Sequence, residues 1–323
     1  MTAEVMSGVI LGQAEHSQLA GAVVSGLSLG TIYALLAMGF VIIFKATQVV
    51  NFAHGALATV GAFITAGVAV ELNFPGRFLD VHPLFGWSIS VMTALVLSAL
   101  MGIILERIFL RPMVGEDLFS VAIVTLGMNV ILMTIVTDYI GPDPRSMADP
   151  WGDAVADLGF VIIAHTEIAQ FIVAVALVLL VAAFFRSRTG IAMRATAFDQ
   201  EAARAQGIKV GAIFAIAWAI GAVLATVGGI FGSVYPRRVG VYSDTALLVF
   251  RAFPAIILGG LDSVVGAVIG GLSVGVAEAL AGSYLNHPWF GTGFSGIVPY
   301  LLMVGVLFIR PYGIFGTEEI RRV

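Results

Sequence analysis

Apolar residues gather along this chain in nine long blocks: Leu19–Phe44, Phe52–Val70, Leu84–Glu106, Phe119–Ile140, Ile168–Phe185, Gly211–Val234, Leu247–Leu261, Val264–Ala281 and Phe294–Ile309. About 20 apolar residues are needed for a helix to cross the hydrocarbon core, so most of these blocks read as membrane spans. Leu247–Leu261 is short and contains Pro254, which makes it a broken or re-entrant segment. The pattern predicts an all-α polytopic membrane protein with eight to nine transmembrane or re-entrant helices. Composition agrees: 59% of the residues are hydrophobic and 11% charged, against roughly 25% charged in soluble domains. Mean hydropathy is +1.02. One membrane domain, 19–310, accounts for the chain, with tails 1–18 and 311–323.

Charge sets the orientation, because Lys and Arg are retained on the cytoplasmic side. With the N-terminus outside and nine crossings, eleven of the 16 Lys and Arg fall inside. They are Lys45, Arg107, Arg111, Arg186, Arg188, Arg194, Arg204, Lys209, Arg310, Arg321 and Arg322. Arg77, Arg145, Arg237 and Arg238 fall outside, as does the acidic loop Gly141–Glu167. The C-terminal tail is then cytoplasmic. The first eighteen residues hold Glu4, Glu15 and His16 but no Lys or Arg. A cleavable signal peptide starts positive, so this segment reads as a retained external tail.

Enzymatic chemistry finds no home here. The two lysines, Lys45 and Lys209, follow Phe44 and Ile208, so neither completes a phosphate-binding loop. There is no cysteine, and the five histidines lack metal-ligand spacing. No cofactor, metal or nucleic acid is expected. Inside the spans the ionisable residues are Arg251 and Glu278, which the nine-crossing topology puts at similar depth. They are expected to pair, either to fix two helices or to serve transport. The segment around Asn51, His54 and Gly55 interrupts the first two blocks, with Arg251–Pro254 as its counterpart. Such breaks line substrate paths in many transporters; equally, Asn51 and His54 could cap and bridge helices at a cytoplasmic turn. With Thr59 and Asn129 they are the path candidates. A path lined so mildly suits a small, weakly polar or zwitterionic solute. Glycine pairs at Gly26/Gly30, Gly228/Gly232, Gly266/Gly270 and Gly271/Gly275 read as helix-packing faces.

The basic stretch 186–210 contains the remaining signal. Phe198 to Gly207 reads as one short helix, with Phe198, Ala202 and Ala205 on a single face. Asp199 and Glu201 sit early and Arg204 late, as the helix dipole favours, and Gly207 is placed to stop it. It either docks in a groove of another protein or covers the ends of its own spans.

Glu201-Ala-Ala203 followed by Gly207 resembles the EAA-type coupling loop of ABC importer permeases. Gly26–Leu35 (GLSLGTIYAL), Val50–Gly55 (VNFAHG), Ile257–Gly271 (ILGGLDSVVGAVIGG) and Arg310–Gly316 (RPYGIFG) resemble the branched-chain amino acid permease family, in particular the smaller of its two permease subunits. The resemblance runs from about Gly21 to the C-terminus. It implies ABC importer permease architecture in a bacterial inner membrane. It also implies a paralogous permease subunit as heterodimer partner, two cytoplasmic ATPase subunits and an external substrate-binding protein. It assigns coupling to Glu201, Ala202, Ala203 and Gly207. ATP hydrolysis would belong to the partners, making this chain a non-enzymatic permease for branched-chain amino acids. The alternatives are a urea or short-chain amide permease, an ion-coupled secondary carrier, or a channel-like subunit.

Overall fold

The computed structural model describes residues 3–141, 143–285 and 293–317, with backbone alone for 3–17, 139 and 140. In chain order the helices are α1 (Ala3–Thr47), α2 (His54–Ala66), α3 (Pro83–Leu105), α4 (Leu118–Ile135), α5 (His165–Arg186), α6 (Arg188–Phe198), α7 (Gln200–Ala205), α8 (Val210–Gly232), α9 (Leu247–Gly259), α10 (Val264–Tyr284) and α11 (Val298–Ile309). Among the described residues, seven helical segments are long and apolar enough to cross a membrane. They are Gln18–Thr47, His54–Glu71, Pro83–Met113, Leu118–Asp138, His165–Arg186, Val210–Gly232 and Val264–Tyr284. Single π-helical turns, Gly67–Glu71, Glu106–Leu110 and Val136–Ile140, extend α2, α3 and α4.

The other two apolar blocks are helical but short. α9 has 13 residues with Pro254 inside it, and α11 has 12. At 1.5 Å per residue each rises about 20 Å or less, short of the roughly 30 Å hydrocarbon core. Even so, α9 links the two ends of the bundle. Just before it, Val241 exchanges backbone hydrogen bonds with Arg145 of the loop preceding α5, at 2.9 and 3.1 Å. Just after it, the Asp262 carbonyl accepts from Lys45 Nζ near the end of α1 at 2.7 Å. The described part of the C-terminal tail is tied to the same end: Ile314 N donates to Leu258 O at 2.9 Å and Phe315 N to Gly259 O at 3.2 Å. Arg321 and Arg322 lie outside the described residues. α1 already begins at Ala3, so the segment expected as an external tail continues the first span as helix.

α1 is the most buried of the seven segments and α5 the least. α1 is held by glycines. A Cβ added at Gly26 would sit 2.7 Å from Val276 Cα, and one at Gly30 would sit 2.8 Å from Leu272 Cα. On the facing helix, Gly271 and Gly275 meet the backbones of Ala34 and Gly30 just as closely. Two small-xxx-small faces therefore interlock, and α1 and α10 cross backbone to backbone. Lipid tails are as apolar as leucine, so close packing of this kind, not water exclusion, holds such helices together.

The expectation of an all-helical chain misses one feature. In the acidic loop, β1 (Val155–Asp157) and β2 (Ile162–Ala164) pair antiparallel, Val155 opposite Ala164. Asp157 Oδ1 accepts from Gly159 N at 2.8 Å, and Gly159 has a φ of +81°, a turn that glycine makes at little cost. Trp87 Nε1 donates to Met147 O at 3.0 Å and its ring meets Trp151 edge to face at 5.0 Å. The loop is thereby fastened to α3.

Gly30→Leu tests the seam. The added side chain has no room and should cost about 1–3 kcal/mol by overpacking, read as a lower unfolding midpoint of the detergent-solubilised protein. An unchanged midpoint would show that α1 and α10 do not cross this closely.

Candidate functional site

The basic stretch forms two helices, and the one expected over Phe198–Gly207 is shorter, with Phe198 belonging to the helix before it. Asp199 adopts an extended backbone, φ −156° and ψ 111°, which ends α6 at Phe198 and starts α7. Its Oδ1 accepts from Glu201 N and Ala202 N, both at 2.9 Å. An aspartate cap satisfies donors that a continuous helix would have to bond elsewhere, so the cap wins over continuation. Ser187 plays the same part for α6, its Oγ accepting from Gly190 N at 3.2 Å. The single face expected for Phe198, Ala202 and Ala205 is therefore divided between two helices. At the far end Gly207 has a φ of +83°. Gly207 N donates to Arg204 O at 2.9 Å and Ile208 N to Ala203 O at 3.0 Å, the paired bonds of a Schellman stop. Ala203 is buried, whereas Glu201, Ala202, Arg204 and Ala205 are exposed. Phe198 is 95% exposed, which leaves a whole aromatic ring without cover at the junction of α6 and α7.

The interrupted segment between α1 and α2 folds back into the bundle. His54, the first residue of α2, is fully buried, and its Nε2 lies 3.0 Å from Leu36 O. A carbonyl only accepts, so Nε2 carries the hydrogen. Leu36 stands eleven residues before the end of α1, about 16 Å along the helix. The chain turns at Gln48, which is exposed with a φ of 59°, and the backbone at 49–53 then returns to the interior. Asn51 is also buried, with Oδ1 accepting from Ala53 N at 3.0 Å. Asn51 Nδ2 and His54 Nδ1 are buried with no hydrogen-bond partner among the described residues. Thr59 Oγ1 donates back to Gly55 O at 3.0 Å within α2, so it belongs to its own helix.

Three cavities follow α1 from one end of the bundle to the other. The first, about 280 Å³, is bordered by Leu29, Ile32 and Tyr33 of α1. The second, about 10 Å³, lies against Phe40 together with Asn51, Gly55 and Asn129. The third, about 560 Å³, reaches Phe44, Lys45 and Gln48. Leu29, Tyr33, Phe40, Phe44 and Gln48 share one face at the helical period. α9 supplies another wall at each level: Arg251, then Phe250 and Phe253, then Ile257. The middle is closed, since a space that small holds about one water, and Phe40 meets Phe253 edge to face at 5.7 Å. Arg194 and the exposed Phe198 border the third cavity, so the stretch carrying α6 and α7 adjoins one end of this column.

A charged cluster occupies the other end. Arg251 Nη1 lies 3.9 Å from Glu278 Oε1, and Glu278 Oε2 accepts from Tyr33 Oη at 2.7 Å. Arg237 Nη2 donates to Ser25 O at 2.8 Å and stands 3.7 Å from Glu167 Oε1. Arg238 forms a bidentate pair with Asp244. The Arg238 hydrogen bonds hold the Asp244 carboxyl below the usual carboxylate range. Sequence reasoning singled out Arg251 and Glu278 but not Tyr33 or Arg237. Nothing in the spacing places Arg237, which follows α8, beside Ser25 of α1. His287 lies outside the described residues.

A helical bundle with seven membrane-length segments and a column of cavities through its interior defines a multi-pass membrane permease. Residues 22–307 match the family described as branched-chain amino acid transport system / permease component, and the chain belongs to that family. It is 32% identical over 312 residues to the high-affinity branched-chain amino acid transport system permease protein BraD of Pseudomonas aeruginosa, covering 93% of this chain and 96% of that protein. It is similar at 30% identity over 309 residues to LivH of Escherichia coli, with the same coverage. A probable branched-chain amino acid transport permease protein LivH of Methanocaldococcus jannaschii is 29% identical over 296 residues, 88% of each chain. Among solved structures, a chain of PsaBC from Streptococcus pneumoniae in complex with Fab aligns at a TM-score of 0.47 and 17% identity, over 95% of this chain and 97% of that one. Its place is the bacterial inner membrane.

Gly207 offers a test of the α7 stop. Nothing lies within 4 Å of a Cβ there, but φ is +83°. Gly207→Val therefore meets strain and no clash, about 1–2 kcal/mol for a left-handed residue. Gly207→Asn, which tolerates that region, should be nearly neutral. If α7 docks on an ATPase subunit, Val should lower the ATPase recovered with the chain several-fold while membrane insertion stays normal, and Asn should not. Equal recovery with both would remove α7 from the docking surface.

Proposed function

We propose that this chain is a transmembrane permease subunit of an ATP-driven importer for branched-chain amino acids. The observation that carries the reading is family membership across residues 22–307, in a chain whose relatives are named for that transport. No phosphate-binding loop is present in the sequence, so ATP would be handled by separate subunits. We place two of these on the side of the Arg186–Lys209 stretch, where the density of Lys and Arg is highest and retention in the cytoplasm follows. Phe198, Asp199, Glu201, Ala202, Ala203, Arg204, Ala205 and Gly207 form the coupling element, with the exposed Phe198 ring as its apolar anchor. A paralogous permease subunit completes the pair, and an external binding protein delivers the solute to the opposite face.

The column of cavities along α1 is the solute path in this reading. Asn51, His54, Gly55 and Asn129 line or support its middle, where Phe40 and Phe253 close it. Alternating access would open this closed centre to one side at a time, by movement of one part of the bundle against another. Movement of α6 and α7 by the ATPase reaches the path directly, because Arg194 and Phe198 border the cavity at that end.

The test is uptake by vesicles that hold the chain with its partners. Labelled leucine, isoleucine or valine should accumulate only with ATP and binding protein present, and a Walker-motif ATPase should co-purify. Uptake that persists without ATP would replace this reading with an ion-coupled carrier. Urea or acetamide carried in place of the amino acids would keep the machine and change its cargo.

A further inference from the structure

We propose that the charged cavity at the end of the path away from α6 and α7 is a binding site for the amino acid itself, with Arg251 and Glu278 taking the carboxylate and the ammonium. The inference rests on the importer reading above and adds the place where this chain recognises its solute.

The chemistry of the walls makes the case. The cavity of about 280 Å³ combines the ionic groups with aliphatic side chains, Leu29, Ile32, Leu247 and Leu248. Charged head and aliphatic body are the two parts of a branched-chain amino acid. Volumes near 300 Å³ are at the small end of known ligand sites, which suits a solute of this size.

The ion pair is loose where a structural pair would be tight. Arg251 Nη1 and Glu278 Oε1 stand 3.9 Å apart, too far for a hydrogen bond, and Arg251 makes no hydrogen bond among the described residues. Its side chain is 61% exposed. A guanidinium presents five N–H donors in a fork that matches a carboxylate. Arg251 borders the cavity, so this fork is available to a ligand there. Glu278 is held differently: Tyr33 fixes Oε2 at 2.7 Å, leaving Oε1 turned toward Arg251. A zwitterion laid antiparallel to this pair would place its carboxylate on the open guanidinium and its ammonium on Oε1. Both charges of the solute would then be matched without any net charge entering the bundle.

The other charges around the site are already engaged. Arg238 is paired with Asp244, and Arg237 is held by Ser25 O and Glu167. Arg237 also borders the cavity, and its Nε is buried with no partner among the described residues. Tyr33, one helical turn past Gly30, ties the site to the α1–α10 seam, so the carboxylate of Glu278 is positioned by a close backbone-to-backbone crossing.

The experiment uses the complete importer in proteoliposomes, with labelled leucine uptake and ATP hydrolysis measured together. Arg251→Gln and Glu278→Gln should each lower leucine carried per ATP hydrolysed at least tenfold, and Arg251→Lys should lose less. Glu278→Gln keeps an acceptor for Tyr33, so it retains the α1–α10 link if Arg251→Gln fails to assemble. The exchange Arg251→Glu with Glu278→Arg rebuilds an ion pair but reverses its direction. It should not restore uptake if the pair reads the solute. Restoration by the exchange, or unchanged leucine per ATP in Glu278→Gln, would reduce the pair to a helix fastener and overturn the proposal. A wild-type importer that carries no zwitterionic amino acid would overturn both the site and the function assigned to the chain. Leucine uptake that the variants leave intact would overturn the site alone.

Discussion

The backbone crossing of α1 and α10 is the constraint on which the rest depends. Gly26 and Gly30 meet the stretch around Gly271 and Gly275 so closely that a Cβ added at any of the four would clash. In lipid, helices are held by contact and hydrogen bonding and not by exclusion of water, so this seam is structural in the strict sense. One turn along, it delivers Tyr33 to Glu278 at 2.7 Å. The same rigid α1 then presents Phe40 to Phe253 in the middle of the bundle and Lys45 to the Asp262 carbonyl at its far end. A single helix borders every level of the cavity column.

Two of the chain's departures from regular helix lie beside the cavities. The 49–53 connection returns into the interior, and α9 is short and holds a proline. Irregular backbone at membrane depth would be intolerable against lipid, because its polar groups would go unpaired; lining an internal cavity relieves that cost. The departures and the cavities therefore coincide for one physical reason. α3, α4 and α5, which face outward over most of their surface, are regular apart from the π-helical turns that extend α3 and α4 at their ends. The coupling candidate obeys a different logic. It lies among exposed polar residues, and its shape comes from two local devices, the Asp199 cap and the Gly207 stop, which need no tertiary partner.

Legibility follows this division. The spans were legible because about 20 apolar residues in a row have few other uses. The glycine pairs were legible as packing faces because spacing by four places them together on any helix. Gly207 was legible because a stop needs a residue that adopts positive φ cheaply. Asp199 was read for its charge when its capping oxygen mattered more, and that put Phe198 on the short helix when it ends the preceding one. The β-hairpin was missed because three-residue strands leave too short an alternation to separate from irregular loop.

By itself, then, the sequence determined the solvent of this protein, the number of its long apolar helices to within the two short ones, and the local starts and stops of its polar stretch. Each of these is set by neighbours a few residues away, through hydropathy, helical period and backbone conformation. Tertiary structure alone decided which glycine face met which, that His54 would reach back to Leu36, and that Arg237 would lie beside Ser25, 212 residues away in the chain. Those contacts depend on how helices of similar composition cross, and in an apolar solvent composition favours no particular partner. The site exists at that level: Tyr33, Arg251 and Glu278 come from three helices that only the packing brings together.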